Sequence, residues 1–433
     1  MSRKLGPIEH AGFIIEKVMA TTAVIIVRVS GILTEPVLRQ ALDYVQAKYP
    51  TLKWKIKDSE VPEFVSEDVP KIPLRIIRRK HDLHWIEQAE KEMNNPCPHF
   101  QGPLLRLVQL LSPDKNNCDL VMACCHLPTD GVSLTMVIKD ILTFAAKLLN
   151  GETIPPPTPL PNPLPSTDLI RKDLEFAPYP LDEASIKARK TEILKGDKDV
   201  PPDKRINRVI HRVLEEEDTQ NLVARCKQEN TSVHAALCAA FLQAIVEQIR
   251  EQQQLHHKGP LMISCITPVD IRQHFIKPVQ EDMGYYISFA IHYQQIHENA
   301  PIWPAAREIK EAILTEIKSG KDVEAILNAN EFWKDYPNPV EMVRELNKSY
   351  PPVGVTNMGR IDIPQQFGDL KLEKFHVTGA IASVTRSGLA IVVTTFRSRL
   401  TLNFLYAEPF ISRQRADTIV DSTMKRLREA IRE

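Results

Sequence analysis

The chain has 433 residues, 43% apolar and 25% charged, and its 55 lysines and arginines balance 55 aspartates and glutamates. That length suits two domains of about 200 residues each, and the zero net charge provides no overall field for nucleic acid or an anionic membrane. No run approaches the ~18 apolar residues of a membrane span, Met1–Pro7 lacks a signal-peptide core, and seven cysteines, several in apolar runs, read as reduced core residues of a cytoplasmic protein.

The elements alternate. Val24–Val29 is a β-branched run that predicts a strand. Thr34 is placed to cap a helix with Pro36 in its first turn, and Val37, Leu38, Ala41, Leu42 and Val45 form its apolar stripe until Pro50. Two strands are expected over Leu104–Leu111 and Asp119–Cys125, joined by the polar turn 112–117, and then a helix from about Ser133 to Leu149, closed by Gly151. The seven prolines of 152–165 and the polar stretch 195–204 mark a semi-rigid crossover. The predicted organisation is an N-terminal lobe over 1–151, a linker over 152–204 and a C-terminal lobe over 205–433. In the second lobe Val209–Leu214 predicts a strand, Glu215–Glu229 a helix, and Ser232 caps another helix to about Ile249. Strands follow at Leu261–Thr267, Tyr285–Tyr293, Leu389–Phe396 and Leu400–Tyr406, the last two a hairpin about Arg397-Ser398, and a helix from Ser412 closes the chain. The interleaving predicts two α/β or α+β lobes.

The most informative segment is His126-Leu127-Pro128-Thr129-Asp130-Gly131, at the end of the predicted buried strand. A histidine there suits a general base, because its ordinary pKa lies near neutrality. Asp130 either turns back toward the ring, fastens the loop or caps the following helix, and Gly131 permits a turn that a β-carbon would obstruct. A hydrogen-bonded core histidine is the competing reading. Three further segments carry polar steps beside glycine or strand ends: Pro268-Val269-Asp270-Ile271-Arg272, Asp282–Ser288 and Thr356-Asn357-Met358-Gly359.

In this order and spacing the four segments resemble the superfamily of CoA-dependent and carrier-protein-dependent acyltransferases. That group includes chloramphenicol acetyltransferase, peptide-synthetase condensation domains, plant BAHD enzymes and polyketide-associated acyltransferases. The resemblance is nearest to the phthiocerol/phthiodiolone dimycocerosyl transferase type, and it extends to Lys48-Tyr49-Pro50-Thr51-Leu52 and the helix start at Ser232. It implies two chloramphenicol-acetyltransferase-like lobes in a V with a tunnel between them. It further implies that His126 is the base, that Asp130 and Gly131 shape the loop with Asp130 paired to Arg272, and that Thr356 and Asn357 face the substrate, one donating to the oxyanion. The implied reaction moves an acyl group from acyl-CoA or an acyl carrier protein to a hydrophobic alcohol, without a covalent enzyme intermediate. No metal is implied, and the phosphopantetheine-borne acyl group is a co-substrate rather than a resident cofactor. The expected state is a monomer. Alternatives are a stand-alone condensation enzyme forming an amide from an amine, and a non-catalytic relative that binds a carrier or lipid. Two departures stand out: Cys125 occupies the place of the first of two histidines found in many relatives, and the Asp-Phe-Gly-Trp-Gly signature of the plant branch is absent.

Rival motifs fail. Neither Gly-x-Gly-x-x-Gly, a P-loop, nor Gly-x-Ser-x-Gly occurs. His256-His257 read as a solvated loop, His234 as a capping or packing residue and His274 as a surface residue. His292 and His297 read as flanking a strand end without zinc spacing. Trp54, Trp85, Trp303 and Trp333 lack a surrounding basic patch for nucleic acid.

Overall fold

The β-branched and apolar runs Ala23–Ser30 and Asn117–Cys124 pair antiparallel at the centre of a six-stranded sheet. The computed structural model describes residues 2–178, 190–256, 259–279, 281–329 and 338–432; His257, Trp333 and residues 179–189 of the predicted linker lie outside the described residues. The sheet runs in the order Gln366–Phe367, Leu370–Gly379, Ala23–Ser30, Asn117–Cys124, Leu105–Leu111, Leu74–Arg78. Helices Glu35–Lys48 and Gly131–Leu149 bury their apolar stripes against it, with Leu38, Ala41, Leu42, Val45, Leu134, Val137, Ile138 and Ile141 all in one core. Thr34 does occupy the cap position of the first of these helices, but its hydroxyl makes no capping bond.

A second six-stranded sheet has the order Ile287–Ile296, Leu261–Asp270, Val353–Arg360, Leu389–Phe396, Arg399–Glu408, Ile206–Leu214. Helices Val233–Gln253, Ile302–Lys318 and Arg413–Arg432 share its core on one face. Its other face reaches the first core through Val209, Ala390, Val392 and Leu405. The hairpin about Arg397-Ser398 is real and tight, with φ of 49° and 60° at the two turn residues, as a two-residue turn matched to strand twist requires.

The division at 152–204 needs correction. The strand Leu370–Gly379, assigned from sequence to the C-terminal lobe, pairs antiparallel with Ala23–Ser30 in the first sheet. Its alternation escapes sequence reading because a bulge between Leu372 and Lys374 switches the inward set from Leu370 and Leu372 to Phe375 and Val377. The helices Pro7–Glu16, His84–Met93, Ile302–Lys318, Lys321–Leu327 and Pro339–Ser349 are likewise additions to the sequence reading. Among the described residues no single helix is long and apolar enough to cross a membrane.

The cysteine reading is also corrected in part. Cys97 and Cys125 are joined by a disulfide in a small core with Phe13, Trp54, Ile56, Phe64, Leu104 and Leu127, while Cys118, Cys124, Cys226, Cys238 and Cys265 are free and buried. The two bonded cysteines lie in the loops that follow the helix His84–Met93 and the strand Asn117–Cys124, with Cα atoms 5.9 Å apart, within disulfide reach, a proximity the sequence separation of 28 does not show. Replacing Cys97 by serine is expected to cost about 3–4 kcal/mol, the loop-closure value for such a separation. Denaturant unfolding of the oxidised protein measures this, and an unchanged midpoint would show that the bond does not support the fold.

Candidate active site

The strand Asn117–Cys124 ends one residue before the disulfide cysteine, and His126 is the first residue to leave the core. Its backbone N–H points to Glu16 Oε1 at 3.3 Å, and its ring Nδ1 lies 2.9 Å from the carbonyl oxygen of Thr129. A carbonyl can only accept, so this contact places the proton on Nδ1 and leaves the lone pair on Nε2. The residue as a whole is half-buried. Burial lowers its pKa from 6.5, against the opposing pull of its backbone bonds and of Asp130. Tyr285 packs edge-on against it, with ring centroids 5.4 Å apart.

Asp130 makes no hydrogen bond to the His126 ring. Its fully buried carboxylate accepts from three donors: the Ser133 N–H at 2.8 Å, the Tyr286 N–H at 3.0 Å and Arg272 Nη2 at 2.9 Å. The first bond caps Gly131–Leu149, so the capping and pairing readings describe the same side chain. Arg272 follows the strand Leu261–Asp270 of the second sheet, so its pair with Asp130 ties the two sheets together at the histidine loop. Asp270 accepts from the same guanidinium at 3.2 Å, and the Tyr286 ring lies beneath it at 4.8 Å. Burial disfavours the charge on Arg272, but Asp130 and Asp270 outweigh burial and hold its pKa above the usual value. Ser133 Oγ exchanges bonds with the carbonyl and N–H of Gly284 at 3.1 and 3.3 Å. A Cβ at Gly284 would fall 2.2 Å from the Tyr286 ring, so only glycine lets this segment close over the loop.

The role expected of Gly131 needs revision. It is the first residue of its helix and has no positive φ. A Cβ there would instead meet Met358 Sδ and Cε at 2.6 Å. The methionine belongs to the strand Val353–Arg360, so the glycine serves close approach between that strand and the loop. Val353 and Val355 point into the helix-covered core, and strand alternation places Thr356 and Met358 on the opposite side. Thr356 is half-buried, and its hydroxyl has no hydrogen bond among the described residues. Asn357 points away from Met358, and its Oδ1 accepts the N–H of Gly359 at 2.8 Å. Thr356 and Asn357 are therefore not equivalent.

Beside Thr356 the second sheet opens. The strand Val353–Arg360 pairs with Leu261–Asp270 only at Val353 and Gly354, whereas Leu261–Asp270 stays paired with its other neighbour as far as Asp270. From Val355 onward the two strands are no longer paired, on the side where Leu261–Asp270 runs on to Arg272. The cavity of about 590 Å³ lined by Gln243, Glu247 and Arg426 includes none of these residues.

Sequence reasoning missed Glu16, Ser133, Tyr285 and Met358. Tyr285, three residues after Asp282, and Met358, between Asn357 and Gly359, both lie in segments that the sequence marks. Glu16 is buried and its pKa is raised to about 7 by burial, with Thr21 and the His126 N–H pulling the other way. Glu16, Cys97, His99 and Cys125 offer ligand atoms within 4.8 Å of one another, but the disulfide occupies both sulfurs and leaves two donors, too few for a structural zinc.

Residues 19–162 match the family model of the Condensation domain, and residues 203–405 match that of the phthiocerol/phthiodiolone dimycocerosyl transferase C-terminus. The chain belongs to the condensation-domain and PapA-type acyltransferase superfamily. No curated protein sequence matches it. Among solved structures, this superfamily member is similar to polyketide synthase associated protein 5 from Mycobacterium tuberculosis, at 16% identity and TM-score 0.67, covering 100% of this chain and 98% of that one. It is similar to the trichothecene 15-O-acetyltransferase of Fusarium sporotrichioides at 13% identity and TM-score 0.72, covering 99% and 95%. An epimerization domain of tyrocidine synthetase B aligns at 15% identity and TM-score 0.69 over 100% and 97%. At these identities the likeness concerns the fold, which carries more than one chemistry.

Removing Asp130 should expose how much the loop depends on it. Asp130→Asn leaves Arg272 without its buried charged partner and is expected to cost about 3–5 kcal/mol, whereas the double variant Asp130→Asn/Arg272→Met should recover part of that loss. A double-mutant cycle in denaturant checks this, and strictly additive losses would show that the two side chains are not coupled.

Proposed function

We propose that this protein transfers an acyl group from an acyl thioester, borne by CoA or by an acyl carrier protein, to an alcohol, forming an ester with His126 as general base. The observation that carries the reading is the Nδ1 contact with the Thr129 carbonyl, which leaves Nε2 free to accept a proton. Depression of the ring's pKa by burial keeps it in the neutral form near pH 7. Superfamily membership and the likeness to an O-acetyltransferase support ester formation.

In this reading the acceptor hydroxyl meets Nε2, gives up its proton as the oxygen attacks the thioester carbonyl, and the tetrahedral adduct collapses by expelling the thiolate. The imidazolium returns the proton to the leaving sulfur, so the enzyme ends as it began and no acyl-enzyme forms. The Thr356 hydroxyl, which makes no hydrogen bond among the described residues and lies on the same side of its strand as Met358 over the histidine loop, is the better placed donor for the oxyanion, whereas the Asn357 side chain is anchored to Gly359 on the other side. Tyr285 forms a wall against the imidazole and limits its rotation.

Replacing His126 by alanine is expected to lower kcat by about 10²–10⁴-fold while the thermal midpoint changes little; retained turnover would remove the base role. Thr356→Val should lower kcat more than Asn357→Ala, and the reverse order in steady-state kinetics would reassign the oxyanion donor. Because burial favours the neutral ring, the acid limb of kcat/KM should have its midpoint below 6.5. A midpoint above neutrality would contradict a burial-depressed base. Matched alcohol and amine acceptors of the same carbon skeleton distinguish ester from amide formation, with faster turnover of the alcohol expected.

A further inference from the structure

His292 lies in the middle of the strand Ile287–Ile296, directly opposite Cys265 on Leu261–Asp270, and not at a strand end as its sequence neighbours suggest. Residues opposite one another on antiparallel strands share a face, and here that face lies under the helix Val233–Gln253, which contributes Cys238. The Cys238 and Cys265 sulfurs and a ring nitrogen of His292 lie within 4.8 Å of one another. All three side chains are at most 1% exposed, and neither nitrogen of His292 makes a well-formed hydrogen bond, the Cys265 thiol being its polar neighbour. A sealed imidazole whose nitrogens are not properly hydrogen-bonded costs roughly 1–3 kcal/mol for each unmet polar group. Natural cores seldom keep such a group unless something else satisfies it.

We propose that Cys238, Cys265 and His292, completed by His234, form a structural zinc site in the core of the C-terminal half. His234 precedes Cys238 by one helical turn, and its Nε2 is already 3.4 Å from the Cys238 sulfur, with the Thr267 hydroxyl as its other contact at 3.0 Å. A zinc tetrahedron with Zn–S of about 2.3 Å and Zn–N of about 2.0 Å has edges of about 3.4–3.8 Å, so the three clustered donors already lie near the span of such a shell, and His234 would join it by exchanging its Thr267 contact for the ion. The charges also close. Zinc displaces one proton from each thiol, two thiolates offset its double charge, and neutral imidazoles complete a shell with no net charge. Such a shell is compatible with the surrounding Ala235, Ala239, Ile263 and Val355. No oxidation or reduction is involved, since both cysteines are free. The four donors come from one helix and two paired strands, which is why no zinc-finger spacing marks them in the chain.

The test is metal analysis of the full-length protein after expression with zinc and exhaustive dialysis. About one zinc per chain is expected, and titration of the wild-type protein with an organomercurial should release it in step with two thiols. Refolding with cobalt should give a thiolate-to-cobalt charge-transfer band and the visible bands of a tetrahedral ion. Cys265→Ser and His292→Gln should lose the metal, and Cys226→Ser, which changes a buried cysteine outside the cluster, should keep it. Wild-type protein holding less than about a tenth of an equivalent would overturn the site. So would a stoichiometric zinc that survives Cys265→Ser but disappears in Cys97→Ser. The wild-type titration decides the matter even if a variant does not fold.

Discussion

A buried carboxylate with three donors holds the centre of this molecule together. Asp130 takes one bond from the helix it caps, one from the backbone of Tyr286 and one from Arg272 at the end of a strand in the other sheet. An unpaired charge at that depth would cost several kcal/mol, so the histidine loop, the glycine-led segment and the end of Leu261–Asp270 are held in one arrangement. The strand exchange by Leu370–Gly379 adds a second tie between the halves. Together they fix where the loop stands relative to the strand Val353–Arg360 that carries Thr356.

Within that frame Asp130 orders the loop but does not touch the imidazole. The ring's tautomer is set by the neighbouring Thr129 carbonyl. A neutral acceptor stabilises an imidazolium less than a carboxylate would, so the ring is held as a neutral base. This agrees with the direction in which burial moves its pKa. Position 125, where many relatives carry a further histidine, here holds a disulfide sulfur turned into an apolar core. A single imidazole remains at the end of the strand.

The sequence made the long apolar elements legible because their periodicity is local: Ala23–Ser30, Glu35–Lys48, Val233–Gln253 and the hairpin about Arg397-Ser398 all stand close to where patterning puts them. Leu370–Gly379 was illegible because a bulge breaks its alternation, and its exchange into the first sheet is a long-range property that no window contains. The His126 and Arg272 segments announced themselves through residue type and order. Glu16 did not, since its meeting with the His126 backbone depends on how the first helix packs 110 residues away in sequence. The same holds for Met358 over Gly131, and for His292, whose partner Cys265 is chosen by strand register rather than spacing.

The state of one ring is the most direct test. Nitrogen NMR of the histidine-labelled protein, with His126 assigned by comparison with His126→Gln, should show Nδ1 protonated and Nε2 mainly bare at pH 7, with a titration midpoint below 6.5. An Nε2–H tautomer, or an imidazolium persisting at neutral pH, would contradict the assignment of His126 as the base.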